Sequence, residues 1–118
     1  MNVTAQSDRM GIRFDGSLPS LPATSLSRAV LPGTIQLPPD GKPILLLCDA
    51  QTIGGYPVLG QVIAADLPRA AQLRPGDTVR FSETTLAEAH RLLRHQHDVL
   101  ATVQQGITRI LGFAGKAE

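Results

Sequence analysis

The sequence has few aromatic residues and a single cysteine, and each shortage restricts what the protein can be. Aromatic residues make up 3% of the 118 residues and Trp is absent, so we expect a core of Leu, Ile, Val and Ala. A lone cysteine, Cys48, excludes an intramolecular disulfide and a cysteine-based zinc knuckle. Cys48 closes an apolar run, and we expect it to be a small buried core residue.

The chain also lacks an excess of charge and a long apolar run. Eleven basic and ten acidic residues leave a formal net charge of +1, with no basic cluster. Nucleic-acid-binding surfaces need such a cluster, so we expect no nucleic-acid partner. No run approaches the ~20 apolar residues of a membrane span, and the first residues lack a signal-peptide core. We therefore expect a cytoplasmic protein without a membrane partner.

The common phosphate-binding and nucleophile motifs are missing too. No GxxxxGK[ST], GxGxxG or GxSxG pattern occurs. The three histidines, His90, His95 and His97, are separated by five, seven and two positions, whereas metal-binding pairs on a helix are three or four apart. We expect no metal site, and the sequence shows no cofactor that this chain itself would bind.

What is present is a series of short apolar runs separated by turn residues, which predicts a mainly β region up to residue 81. Strands are predicted at residues 9–14, 34–37, 44–48, 58–65 and 78–81. Pro38-Pro39-Asp40-Gly41 predicts a reverse turn that joins the second and third strands into a hairpin. Asp66 is predicted to cap a short helix that ends at Leu73.

The chain changes character at Ser82, and its last part is predicted to be a helix. Thr85-Leu86-Ala87-Glu88 has the pattern of a capping box. Leu86 begins a row of apolar residues that recur every seven positions as far as Ile107. This predicts one amphipathic helix of about five turns, ended by Gly106. We accordingly divide the chain into residues 1–81 and a helical tail of residues 82–118.

The loop between the two central apolar runs, Asp49 to Pro57, is the predicted binding site. Residues alternate in direction on leaving a strand, so Asp49 and Gln51 can present a carboxylate and an amide to one ligand. Gly54 and Gly55 allow the backbone to approach a ligand and to offer it N–H groups. The alternative is that Asp49 satisfies only the backbone of the turn and that the glycines only bend it.

Residues 38–81, preceded by Arg9-Met10-Gly11 and by LPGTIQ at residues 31–36, resemble the biotin-dependent carboxyltransferase family. That family includes allophanate hydrolase subunit 2, the 5-oxoprolinase C subunit and KipA proteins. The resemblance covers residues 7–81 and implies a mainly β fold with helices: a cyclophilin-like β-barrel subdomain, followed here by the amphipathic helix. Family members have a substantial portion before the RMG motif, so we expect this chain to correspond to the C-terminal subdomain alone.

The resemblance also implies roles for individual residues. The catalytic residues would be Asp49 and Gln51, and the substrate-binding residues Arg9, Thr52, Gly54, Gly55 and Tyr56. In that scheme Asp49 orients the substrate amide or accepts its proton, while Arg9 pairs with a carboxylate. The second Thr of the family motif is replaced by Ile53, which removes one hydroxyl from the site.

The function implied by the resemblance is that of a component of a multi-subunit, ATP-dependent amide or lactam hydrolase resembling 5-oxoprolinase, which converts 5-oxoproline to glutamate. Its partners would be a protein like the B subunit of that enzyme, of the KipI or allophanate hydrolase subunit 1 type, and a protein like its A subunit. ATP is implied for the complex, and we expect no activity from this chain alone. Two alternatives stay open: a KipA-like regulatory module that binds a protein, and a truncated remnant without activity.

Overall fold

The computed structural model describes residues 1–22 and 27–111, and the side chains of the last helix as far as Ile107. The chain divides into two compact units, Met1–Ser82 and Glu83–Glu118. Of the described elements, the first unit contains the strands and one short helix, and the second contains the long helix. The prediction of a mainly β fold with a C-terminal helix is therefore confirmed.

The described elements follow one another as short strands and two α-helices. They are β1 (Gly11–Arg13), β2 (Arg28–Ala29), β3 (Thr34–Gln36), β4 (Ile44–Leu46), β5 (Ile53–Gly54), β6 (Val58–Gln61), α1 (Leu67–Ala71) and α2 (Leu86–Leu111), with a 3-10 turn at Ala64–Asp66 before α1. No helix in the described part of the chain has the length and apolarity that crossing a membrane requires.

Four strands form an antiparallel sheet in the order β1-β4-β3-β6, and β2 and β5 form a second, two-stranded sheet. These are open sheets over the described residues, and the cyclophilin-like barrel stays a prediction. The β3–β4 hairpin is present, with Ile35 opposite Leu45. Its turn is closed by the Gly41 N–H, which donates to the Pro38 carbonyl at 3.0 Å. Gly41 has a φ of +76°, a conformation that residues with a side chain rarely adopt.

The four-stranded sheet separates two apolar clusters because successive residues of a strand point to opposite faces. Ile35 and Leu45 belong to the larger cluster, whose buried members are Val3, Ile12, Phe14, Ile35, Leu45 and Ala70. Ile44 and Leu46 project from the other face of β4 and pack with Val30. Except for Phe14, the core is aliphatic, as the scarcity of aromatic residues predicts.

Several strands are shorter than the apolar runs that predicted them. The run at residues 44–48 leaves the sheet after Leu46, because the chain then turns and the Ala50 N–H donates to the Leu47 carbonyl at 3.1 Å. Cys48 is consequently exposed, so the expectation that it would be buried is wrong. The predicted strand at residues 78–81 is reduced to a single bridge between Thr78 and Asn2.

The two helices also differ in extent from their predictions. Helix α1 ends at Ala71, and the Asp66 side chain makes no capping bond. Helix α2 does not end at Gly106 but continues to Leu111. Gly106 lacks the positive φ of a helix-terminating glycine, and glycine inside a helix costs only about 1 kcal/mol relative to alanine. One glycine is therefore too weak a signal to stop a helix of 26 residues.

The start of α2 shows half of the predicted capping box. Thr85 Oγ1 accepts a hydrogen bond from the Glu88 N–H at 3.2 Å, as an N-cap threonine does. The Glu88 carboxylate instead accepts two hydrogen bonds from the guanidinium of Arg91, at 2.8 and 2.6 Å. These bonds to Arg91 lower the pKa of Glu88 below its ordinary value.

Candidate functional site

The predicted binding loop is fixed to the four-stranded sheet at both ends. At its start, the Leu47 N–H donates to the Met10 carbonyl at 3.1 Å, and at its end the Leu37 N–H donates to the Pro57 carbonyl at 2.9 Å. Between these bonds, β5 pairs with β2 outside the main sheet. The loop is therefore held at two points and leaves the sheet between them.

The loop borders an open cleft of about 680 Å³, a volume in the range of small-molecule sites. Its other wall comes from the segment before β2 and from the β3–β4 connection. The lining residues are Ser20, Leu21, Leu37, Pro39, Gln51, Ile53, Gly54, Gly55, Tyr56 and Pro57. The lining is mainly apolar, and its polar side chains are those of Ser20, Gln51 and Tyr56, so a ligand would meet few directed polar groups.

The structure divides the sequence-predicted site residues into two groups. Four of them line the cleft: Gln51, Gly54, Gly55 and Tyr56. Thr52 is exposed beside the cleft, and its carbonyl accepts a hydrogen bond from the Val30 N–H at 3.0 Å. Like Thr52, Arg9 and Asp49 are not lining residues, and these three form the second group. The alternation that was expected to bring Asp49 and Gln51 together does not apply, because the chain turns at Leu47 instead of continuing as a strand.

Arg9 and Asp49 form an ion pair, with Arg9 Nε 3.6 Å from Asp49 Oδ2. Their side chains are 93% and 57% exposed, so water screens the pair and it contributes little to stability. The turn that carries Arg9 is ordered by Asp8, whose Oδ1 accepts hydrogen bonds from the backbone N–H groups of Met10 and Gly11. A carboxylate and a guanidinium are thus presented together and are accessible to a polar ligand.

Sequence reasoning missed one residue of this region, Gln36 on β3. Gln36 is only 1% exposed, and its Nε2 has no hydrogen-bond partner among the described residues. It lies beneath β5, because a side-chain carbon added at Gly54 would collide with Gln36 Nε2. The sequence gives no signal for it, because a glutamine that alternates with a core-facing isoleucine is expected to face away from the core, and its burial follows only from the tertiary structure.

The structure shows no metal-binding cluster in the residues it describes. Within residues 1–22 and 27–111, no three His, Cys, Asp or Glu side chains lie close enough together to bind a metal ion. The lone cysteine, Cys48, is exposed and directly precedes Asp49 in the chain. The polar groups that line the cleft, the Ser20 and Tyr56 hydroxyls, the Gln51 amide and the loop backbone, can form hydrogen bonds to a ligand.

Comparison with known proteins gives matches to one family. The family described as "Carboxyltransferase domain, subdomain A and B" matches residues 1–83. The chain is 45% identical over 103 residues to the C subunit of 5-oxoprolinase from Haemophilus influenzae and 40% identical over 98 residues to that from Escherichia coli. It is 27% identical over 104 residues to the urea amidolyase of Saccharomyces cerevisiae.

These matches cover most of this chain but a minor part of each relative. They include 86% of the chain and 33% of the H. influenzae protein, 80% and 31% for E. coli, and 79% and 6% for the yeast protein. The chain thus spans about a third of the length of the two bacterial relatives. The match to the H. influenzae protein covers 86% of the chain, which is more than the 83 residues matched by the family. This match must therefore extend into α2.

Solved structures give the same fold for the strand-rich part. The crystal structure of TTHA0988 in space group P212121 matches with a TM-score of 0.60 and 35% sequence identity, over 70% of this chain and 16% of that chain. A second crystal form of the same protein, in space group P6522, also matches with a TM-score of 0.60. The fold of the matched 70% of this chain is therefore one that has been observed experimentally.

Proposed function

The chain belongs to the carboxyltransferase domain family, and on this premise we propose that it is a component of a multi-subunit amide or lactam hydrolase resembling 5-oxoprolinase. The observation that carries the proposal is the loop that contains Gly54, Gly55 and Tyr56. It lies in the region matched by the family and borders a cleft of ligand size. The names of the two bacterial relatives, both C subunits of 5-oxoprolinase, suggest the substrate class.

The proposed substrate, a small amide or lactam, suits the lining of the cleft. Its ring would pack against apolar residues such as Leu37, and its carbonyl or carboxylate would accept hydrogen bonds from the Gln51 amide or the Tyr56 hydroxyl. The missing side chains of Gly54 and Gly55 let the substrate approach the backbone of the loop.

Arg9 and Asp49 lie outside the lining of the cleft, so their proposed roles need a larger site. We place the substrate carboxylate at Arg9 and the substrate amide at Asp49 only when a partner protein completes the wall beside the ion pair. The partners in this proposal are proteins like the B and A subunits of 5-oxoprolinase, and the complex uses ATP. The chain by itself is proposed to be inactive.

The experiment mixes this chain with the A-type and B-type partners, ATP and 5-oxoproline, and measures glutamate with and without the chain. Glutamate that forms only when the chain is present supports the proposal. Asp49→Asn should then lower the rate, whereas Asp40→Asn should not, because Asp40 is an exposed carboxylate of the β3–β4 turn outside the cleft. Equal rates for Asp49→Asn and wild type would remove Asp49 from the mechanism.

A second candidate, a KipA-like regulatory module, is favoured by one observation. Large apolar side chains on α2 are exposed, among them Leu86, Leu100, Val103 and Ile107. An amphipathic helix with such a row is a common protein-binding element. In a co-elution assay with the B-type partner, Leu100→Glu should abolish binding and His95→Glu should not, because His95 is exposed and lies on the opposite side of α2 from Leu100. Binding by both variants would exclude this face of α2 as the docking surface.

A further inference from the structure

The structure shows no hydrogen bond through which the buried Nε2 of the Gln36 amide would stabilise the described part of the fold. The residue lies in the centre of the four-stranded sheet, paired with Ile44 on β4 and with Val58 on β6. Its side chain is on the same face of the sheet as Ile44, whose neighbours there are Val30 and Leu46. An amide is thus placed among aliphatic side chains and buried, with its Nε2 unpartnered among the described residues.

Such a placement is costly, because a buried donor has lost its hydrogen bonds to water and regained none. A leucine or methionine of similar volume would fill the same space without this cost. Buried unsatisfied groups are rare in folded proteins, and each calls for an explanation. Among the described residues only Thr4 Oγ1 shares this condition, and Thr4 does not line the cleft.

Gln61, a second glutamine of the same sheet, shows the contrast. Its Oε1 accepts a hydrogen bond from Thr34 Oγ1 at 2.9 Å, and its Nε2 donates to the Pro32 carbonyl at 2.9 Å. Both halves of the Gln61 amide are therefore used to join β6 to the β3 side of the sheet. Gln36 has the same chemical group and greater burial, but its Nε2 lacks such a bond.

The position of Gln36 relative to the cleft suggests where its missing partner would come from. Gly54 lies directly over Gln36 Nε2 and is itself a lining residue of the cleft. Because Gly54 has no side chain, only the backbone of β5 separates the amide from the cleft. Among the described residues, β5 is two residues long and pairs with β2, which is exposed, and the preceding Thr52 carbonyl accepts one further hydrogen bond, from the Val30 N–H. The bonds that displacement of β5 would break are thus confined to this short, exposed pairing.

We propose that the Gln36 amide is a specificity-determining group of the cleft, which donates its Nε2–H to a carbonyl or carboxylate oxygen of the ligand when β5 is displaced. The inference rests on the proposed function, since amides and lactams carry such an oxygen. It adds that the Gln36 Nε2–H gains its hydrogen-bond partner only when the ligand is bound. A ligand without an acceptor oxygen at this point leaves the amide unpaired and binds less tightly.

The test uses 5-oxoproline, 2-pyrrolidinone and proline as probes, with the chain assembled with its partner proteins. 5-Oxoproline has a ring carbonyl and a carboxylate, 2-pyrrolidinone has only the ring carbonyl, and proline has only the carboxylate. The three probes therefore separate recognition of the ring carbonyl from recognition of the carboxylate. Gln36→Leu should weaken the binding of 5-oxoproline about tenfold, together with that of whichever other probe carries the oxygen that Gln36 contacts, and it should not lower Tm. Gln61→Leu, the matched control, should lower Tm and leave the affinity within about twofold.

A direct readout on the wild type avoids dependence on any variant. In the 15N-labelled chain, the side-chain amide signals of Gln36 should shift when 5-oxoproline saturates the site. If these signals do not move, or if Gln36→Leu binds the probes as tightly as wild type, the inference is wrong while the proposed function stands. If the wild type binds none of the three probes, the proposed function fails and the inference fails with it.

Discussion

Replacing Gly54 by alanine is the sharpest test of the packing under the cleft. The new methyl group would collide with Gln36 Nε2 and would stand 3.6 Å from Val30 Cγ1. The Gln36 side chain is only 1% exposed and cannot swing into solvent, so either its amide or β5 must shift within the packed interior. We therefore expect Gly54→Ala to destabilise the strand-rich unit and to disturb the cleft.

The magnitude follows from two opposing terms. Overpacking a tightly packed core costs about 1–3 kcal/mol. Replacing glycine by alanine restricts the unfolded chain and returns about 0.4–1 kcal/mol. Because Gly54 does not have a positive φ, no backbone strain is added. The net loss is between about 0 and 2.6 kcal/mol, with a middle value of about 1.3 kcal/mol. In a unit of this size each kcal/mol lowers Tm by roughly 4–8 °C.

Gly55 provides a matched control at the next position. Among the described residues, a carbon added there would meet Ser27 Oγ at 3.7 Å, an ordinary contact, and Gly55→Ala should leave Tm unchanged or slightly raised. The assay is scanning calorimetry, supported by amide exchange of Ile35 and Leu45, because the signal of α2 would dominate far-ultraviolet circular dichroism. Equal Tm values for the two variants would refute the reasoning. The double variant Gly54→Ala with Gln36→Ala should recover stability if the collision is with Gln36.

Two further predictions concern the ends of the units. Thr85→Ala should reduce the helix content of α2, because it removes the hydrogen bond that Thr85 Oγ1 accepts from the Glu88 N–H. Thr85→Ser keeps a hydroxyl at this position and should keep the helix content. Equal circular dichroism at 222 nm for the two variants would contradict the capping role. The backbone and side-chain N–H groups of Asn2 donate to the Asp15 carboxylate and lower the pKa of Asp15 below its ordinary value of 3.8. The ionised carboxylate therefore stabilises the fold above that ordinary value. This stabilisation is lost as the pH falls through the pKa that Asp15 has in the folded protein. The stability difference between wild type and Asp15→Asn should shrink over that acid range in denaturation experiments.

Local signals in the sequence were sufficient for the hairpin and for the start of α2. The turn around Gly41 is predicted correctly because proline and glycine each restrict the backbone in a definite way. Strand ends are less certain, because an apolar residue fits an exposed turn as easily as the end of a strand. Cys48 illustrates this, since the chain leaves β4 two residues before it. The end of α2 was missed for a similar reason, as Gly106 is tolerated within a helix.

The candidate site was predictable in part. The residues of the loop near Gly54 line the cleft, although that they bind a ligand stays a prediction. The ion pair of Arg9 with Asp49 joins residues 40 positions apart, and it depends on β1 pairing with β4, which no local pattern specifies. Gln36 was overlooked because a single polar residue in a strand predicts exposure, and only the tertiary structure shows that β5 covers it.

The same contacts that fix the cleft also suggest where it can change. The bonds from Leu47 to Met10 and from Leu37 to Pro57 anchor the two ends of the loop next to the four-stranded sheet, so moving either end would break one of these hydrogen bonds. β5 lies between these anchors and has only a two-residue pairing of its own. Displacement confined to β5 is therefore the least costly rearrangement of the loop. It would uncover Gln36 without disturbing the aliphatic cluster on the opposite face of the sheet, and a ligand that forms the missing hydrogen bond would stabilise the displaced form.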